Sequence, residues 1–101
     1  MRRGEIWRYQ PVAARPGQPT LRVIVSADII NANDRVPVVL TLHLVDTDPD
    51  SLLAVRIGEY GWARALSIEP AMRNRLVEHV GIVERETMEE VSNALRAVQH
   101  L

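Results

Sequence analysis

Pro37-Val38-Val39-Leu40-Thr41-Leu42-His43-Leu44-Val45 is the most apolar stretch of the chain, and its reading decides the fold. Side chains two apart in a strand share a face, so Val38, Leu40, Leu42 and Leu44 line one side and Val39, Thr41, His43 and Val45 the other. The run is too short and too β-branched to be read first as a helix, and it is closed by the acidic loop Asp46-Thr47-Asp48-Pro49-Asp50. Upstream, Leu21 to Ser26 is a second strand, with Leu21, Val23 and Val25 on one face and Arg22, Ile24 and Ser26 on the other. Asn31-Ala32-Asn33-Asp34 supplies the turn between the two. Farther upstream, Glu5-Ile6-Trp7-Arg8-Tyr9 alternates like a half-buried strand, and the segment Pro11 to Pro19, with three prolines and a glycine, is a loop.

Downstream, Leu53 to Ile57 and Trp62 to Leu66 are strand candidates around a Gly58-Glu59-Tyr60-Gly61 turn. Pro70 to Val80 reads as a short helix or turn ended by Gly81, with Ile82-Val83 as a brief strand. From Glu86 to Leu101 the period changes: Met88, Val91, Leu95 and Val98 recur at helical spacing, with acidic residues in the first turns and Arg96 near the end, as the helix dipole favours. The expected architecture is α+β: a small, strongly bent antiparallel sheet or SH3-like barrel with a C-terminal helix. Exposed strand edges in so small a sheet favour dimerisation.

With 101 residues, residues 1–101 are expected to form a single domain. A hydrophobic content of 47% and a charged content of 25% are those of a globular protein. No run approaches the roughly 20 apolar residues of a membrane span, and the opening Met1-Arg2-Arg3 has no apolar stretch behind it, so a soluble cytoplasmic protein is expected. The absence of cysteine excludes a disulfide framework, thiolate chemistry and thiolate-bound zinc.

All 12 basic residues are arginine, each a planar guanidinium suited to bidentate phosphate contacts. The net charge of -1 conceals segregation: Arg2, Arg3, Arg8, Arg15 and Arg22 face Glu5 alone in the first 22 residues. The next stretch, to Asp50, carries five aspartates against Arg35. Such segregation permits a basic face on a nearly neutral protein.

No phosphate-binding glycine loop, His-Glu-x-x-His pair or nucleophile elbow is present. Four segments, in order, carry a family pattern instead. They are Arg2-Arg3-Gly4-Glu5-Ile6-Trp7; Val23-Ile24-Val25-Ser26-Ala27-Asp28 followed by Asn31; Val38 to Val45; and Arg75-Leu76 to Gly81-Ile82-Val83 with the helix Met88 to Leu101. Together they resemble the MazF/PemK toxins, the ribonuclease half of bacterial type II toxin-antitoxin pairs. Ser26-Ala27-Asp28-Ile29-Ile30 is also similar to the corresponding segment of CcdB, a gyrase poison on the same fold. The Trp-Gly-Ile tail on which gyrase poisoning depends has no counterpart in Ala97-Val98-Gln99-His100-Leu101. The CcdB-like alternative, or a binding member without activity, stands second.

The resemblance implies a homodimeric endoribonuclease that cuts single-stranded RNA without metal or cofactor and is held in check by a cognate antitoxin. In that family the ribose 2'-OH attacks phosphorus, assisted by an arginine and a threonine. Those positions fall here at Thr20 and Val45. Strand parity offers substitutes: Arg22 and His43 lie one residue pair away on the same faces, roughly 7 Å along each strand. Arg22 would then supply the charge and His43 the acid or base, with Thr41 or Thr47 as hydrogen-bonding support. Arg8, Arg15 and Arg22 are expected phosphate contacts, Thr20 an RNA-binding position, and Tyr60 a base-stacking candidate. Trp7 and Trp62 are read as core or interface residues. His79 and His100 are expected to do no chemistry, and the Asp46 to Asp50 run lacks the glycine and glutamate of a calcium loop.

Overall fold

The computed structural model describes residues 1–13 and 15–99. Six strands form one antiparallel sheet: β1 Glu5–Tyr9, β2 Leu21–Ile24, β3 Val38–Val45, β4 Ala54–Arg56, β5 Trp62–Met72 and β6 Leu76–Ile82. Two helices join them, α1 Asp28–Asn31 after β2 and α2 Arg85–Gln99 at the end. The strand order is β4-β5-β3-β2-β1-β6. Strands β4 and β6 are the outer edges and do not pair, so the sheet is open and the barrel alternative is not realised.

The apolar run that opened the sequence reading is β3, set between β2 and β5. Its two faces feed two cores. Leu42 and Leu44 join Ile6 and Val23 beneath Val91 and Leu95 of α2, the stripe expected from the helical spacing. Val39 joins Ile24, Ala71 and Leu76 in a smaller cluster on the opposite face, with Met1, Trp7 and Tyr9 against it. Val38 and Leu40 remain exposed although they share the face of Leu42. Burial along this strand therefore passes from one side to the other, as a bent sheet requires.

The segment Pro70 to Val80 differs from its expected helix or turn. Pro70 to Met72 completes β5, a single 3-10 turn covers Arg73–Arg75, and Leu76 opens β6. Pro70 is tolerated in the strand because β4 pairs only with Trp62 to Arg64, so this end of β5 is an edge on its other side. The turn is fixed by Arg73, whose guanidinium donates to the carbonyls of Ile30, Asn31, Asn33 and Val36 at 2.7–3.1 Å. One side chain thus satisfies the carbonyls at the end of α1 and pins β5 to it.

The segments that carry the family resemblance interlock. Arg3 donates its backbone N–H to Asp28 Oδ1 at 2.6 Å and its guanidinium to Val25 O and Ser92 Oγ. Asn31, 1% exposed, donates to Ser26 O and Asp28 Oδ1. Ser26 Oγ donates to Asn31 and accepts from the backbone of Leu40. The Ser-Ala-Asp-Ile-Ile-Asn motif is therefore a structural lock between β2 and β3. His100, with Leu101 at the end of the expected helix, lies outside the described residues.

Candidate active site on the open face

The face of the sheet opposite α2 carries a row of polar and aromatic side chains. Register sets it: Trp7 of β1 pairs with Arg22 of β2, which pairs with His43 of β3. Thr41 pairs with Ile24 on one side and Glu69 of β5 on the other. Directly opposed residues project to the same face, so Arg22, Thr41, His43 and Glu69 converge.

Arg22 lies at the bottom of this cluster, 4% exposed. Its Nη1 donates to Thr41 Oγ1 at 3.1 Å, its Nη2 is 3.5 Å from Glu69 Oε2, and the Tyr9 ring covers the guanidinium at 4.1 Å. Its Nε has no hydrogen-bond partner among the described residues. Burial pushes the Arg22 pKa down, opposed by the Glu69 charge. Thr41, fully buried, donates to Glu69 O at 2.9 Å and so ties β3 to β5 beneath the arginine.

Glu69 is the residue the sequence reading missed. Its carboxylate pairs with His43 Nε2 and faces Arg22. The hydrogen bond with His43 holds the Glu69 carboxyl below the usual carboxylate range, with the charges of His43 and Arg22 adding to it. A carboxylate only accepts, so the Nε2 that meets it carries a hydrogen. Nδ1, which has no hydrogen-bond partner among the described residues, is the position left for chemistry: a base when the imidazole is neutral, an acid when it is charged.

A bulge gives the site its shape. Leu42 pairs with Ile68 and Leu44 with Ala63, so β5 places five residue steps against two of β3. Bulges of this kind re-aim side chains beside functional sites. The looped-out residues open a cavity of about 420 Å³ lined by Pro19, His43, Val45, Arg64, Ser67 and Glu69, among others. A broken alternation in β5 is the signal that could have located it. Reading Trp62 to Leu66 as a complete strand hid the bulge.

The other expected site residues are dispersed. Arg8 projects from β1 to the opposite face from Trp7, pairs with Glu78 at 2.8 Å and reaches Thr20 Oγ1 at 3.4 Å. Thr20 and Tyr60 line a neighbouring cavity with Gly17, Pro19 and Asp46. Arg15 is exposed in the loop before β2, and Thr47, beyond the end of β3, donates to Asp46 Oδ1 at 3.4 Å. His79 stacks on Trp7 with ring centroids 5.3 Å apart, and Glu5 accepts from Trp7 Nε1 at 3.0 Å. Among the described residues no group of three His, Asp or Glu side chains is placed to hold a metal ion. None of the described helices is long and apolar enough to cross a membrane.

An open, bent six-stranded sheet is helix-backed on one face and bears a His-carboxylate-Arg cluster on the other, a small α+β fold with room for chemistry at its exposed face. Residues 2–99 match the family of PemK-like, MazF-like toxins of type II toxin-antitoxin systems, and the chain belongs to that family. No curated protein matches it significantly. Among solved structures, an endoribonuclease in complex with its cognate antitoxin from a mycobacterial species is 24% identical. That match covers 100% of this chain and 96% of the other, at a TM-score of 0.85. MazF from Deinococcus radiodurans is 15% identical, with coverage of 100% and 97% and a TM-score of 0.78. The MazE-MazF complex of the same organism is 14% identical, with coverage of 100% and 97% and a TM-score of 0.76.

Proposed function

We propose that this toxin is a metal-independent endoribonuclease that cuts single-stranded RNA in the cytoplasm. The observation that carries the reading is the open-face His43, paired through Nε2 with a carboxylate that a buried arginine faces. His43 Nδ1 takes the proton of a ribose 2'-OH. The 2'-oxygen bonds to phosphorus as the bond from phosphorus to the 5'-oxygen breaks. The leaving oxygen takes a proton from solvent, and the products are a 2',3'-cyclic phosphate and a 5'-hydroxyl. Glu69 positions the imidazole and fixes which nitrogen works. Arg22 is a fixed cation behind Glu69, and Thr41 holds it there. At 4% exposure Arg22 acts from beneath the site rather than through the direct phosphate contact expected from its strand position.

The mycobacterial relatives described as endoribonucleases support this reading, one of them in complex with its cognate antitoxin. A cognate antitoxin would lay an acidic, initially disordered tail along the same open face, where a polyanion substitutes for RNA. The protein works as a homodimer: β6 is an unpaired edge with Val77 and Ile82 exposed, a surface suited to a second copy. Arg15, in the loop before β2, and Thr20, two residues before Arg22, contact the strand beyond the reacting nucleotide, while Arg8 and Thr47 lend only peripheral charge and polarity. Tyr60, whose hydroxyl lies against Gly81 and which lines a cavity with Ile82, Val83 and Thr87, sits on the α2 side and takes no part.

The test is incubation of purified protein with a long RNA in excess chelator, followed by end-group analysis. Cleavage leaving cyclic phosphate and 5'-hydroxyl ends is expected. Intact RNA in that assay, or DNA breaks with intact messenger RNA in induced cells, contradicts the reading and favours the gyrase-directed alternative.

A further inference from the structure

We propose that Arg64, Trp62 and Arg56 form a second subsite on the open face, which takes the nucleotide next to the reacting one in a single strand of RNA. The inference rests on the ribonuclease reading for its ligand but on separate residues for its chemistry. Trp62 pairs with Val45 of β3 and with Arg56 of β4, so all three share the face of His43. Two residues along β3 and one strand across set Trp62 about 8 Å from His43 between Cα positions, within reach of one nucleotide.

Arg64 follows two residues after Trp62 and enters the bulge, where it lines the cavity with His43 and Glu69. Its guanidinium has no ion pair or hydrogen bond among the described residues, in contrast to Arg3, Arg8, Arg22 and Arg73. An unpaired guanidinium at the mouth of a cavity that also holds His43 is placed to receive a phosphate in bidentate fashion. The Arg56 guanidinium lies 5.4 Å over the Trp62 ring, steered by an Nε contact with Gly58 O at 3.4 Å. The guanidinium covers one face of the indole, so the pair is a cation-backed π stack against which a nucleobase can lie. An acidic peptide would gain from the arginines and nothing from the indole, so the combination favours RNA. The cavity is of the size that holds small ligands.

Kinetics and direct binding test the proposal. Trp62→Ala and Arg64→Ala should each raise KM for long RNA roughly tenfold with kcat changed by less than about twofold. Arg64→Ala should also lower the slope of log affinity against log salt by about one. In a Trp7→Phe background Trp62 is the sole tryptophan. Titration with a mixed-sequence single-stranded RNA carrying 2'-O-methyl groups, which cannot be cleaved, should quench its fluorescence, and Arg64→Ala should weaken that binding. Unchanged KM in both variants, or no quench while the parent protein cleaves RNA, overturns the subsite and leaves the ribonuclease reading standing. Salt-dependent quench by RNA in a protein that cleaves none supports the subsite and contradicts the ribonuclease reading. Quench by a polyglutamate peptide but not by RNA overturns the choice of ligand.

Discussion

At the scale of single residues, the site is a chain of dependence from the interior outward. Thr41 holds Arg22, Arg22 faces Glu69, and Glu69 orients His43. Only the last of these need touch a substrate. Thr41→Val keeps the shape but removes an acceptor from a guanidinium that already has one unpartnered nitrogen. We expect a loss of about 1–3 kcal/mol of stability, read as a lower urea midpoint with an unchanged slope. Glu69→Gln keeps a hydrogen-bonding group of the same length but frees the choice of imidazole tautomer. Its expected signature is a kcat reduced less than in His43→Ala, with KM unchanged, in single-turnover and steady-state cleavage. An equal loss in the two variants would mean that Glu69 itself moves a proton.

At the scale of elements, the bulge of β5 and the turn that precedes it shape the site. Gly61 adopts φ +115°, and a Cβ there would collide with the Val45 carbonyl, so the turn can lie against the end of β3 only with glycine. Gly61→Ala is expected to cost about 1–3 kcal/mol or more, measured by denaturant unfolding. Strands β1, β2 and β3 and helix α2 were legible from period alone, since each keeps a regular alternation or a helical stripe over its length. Parity, applied to the positions that the family resemblance implied, singled out Arg22 and His43, and the register of β2 and β3 sets them side by side. Strand β5 was not, because a bulge shifts parity midway and sends Glu69 to the face that a regular count denies it. Most of strand β6 was hidden too, Ile82 alone falling in the brief strand expected there: Val77, Glu78 and His79 are exposed on an edge, and only Leu76 and Val80 turn to a core. Arg8 follows the regular alternation of β1, which turns it away from the face where Trp7, Arg22 and His43 meet.

At the scale of the whole molecule, division of labour between the two faces explains how a chain of 101 residues carries both a core and a site. The α2 face supplies the larger hydrophobic cluster, and the open face supplies a smaller one roofed by polar groups. Charge at two separate places also links folding to pH, at the start of α1 and on the open face. Asp28 and Glu69 have carboxyls held below their ordinary values of 3.8 and 4.5, by the Arg3 backbone N–H and by His43 respectively. Groups depressed in the folded state stabilise it above those ordinary values and lose that contribution as pH falls through the lowered ones. Stability measured by denaturant should therefore decline below about pH 4.5, and Glu69→Gln should flatten that decline.

The central claim is that His43, oriented by Glu69, moves the proton of RNA cleavage on the face opposite α2. Its most direct test is the single-turnover rate of RNA cleavage by His43→Ala beside the parent protein, in chelator and with folding verified by circular dichroism. The account predicts a loss on the order of 10²- to 10⁴-fold, with the residual products unchanged in their ends. A folded His43→Ala protein that cleaves at the parent rate would contradict it.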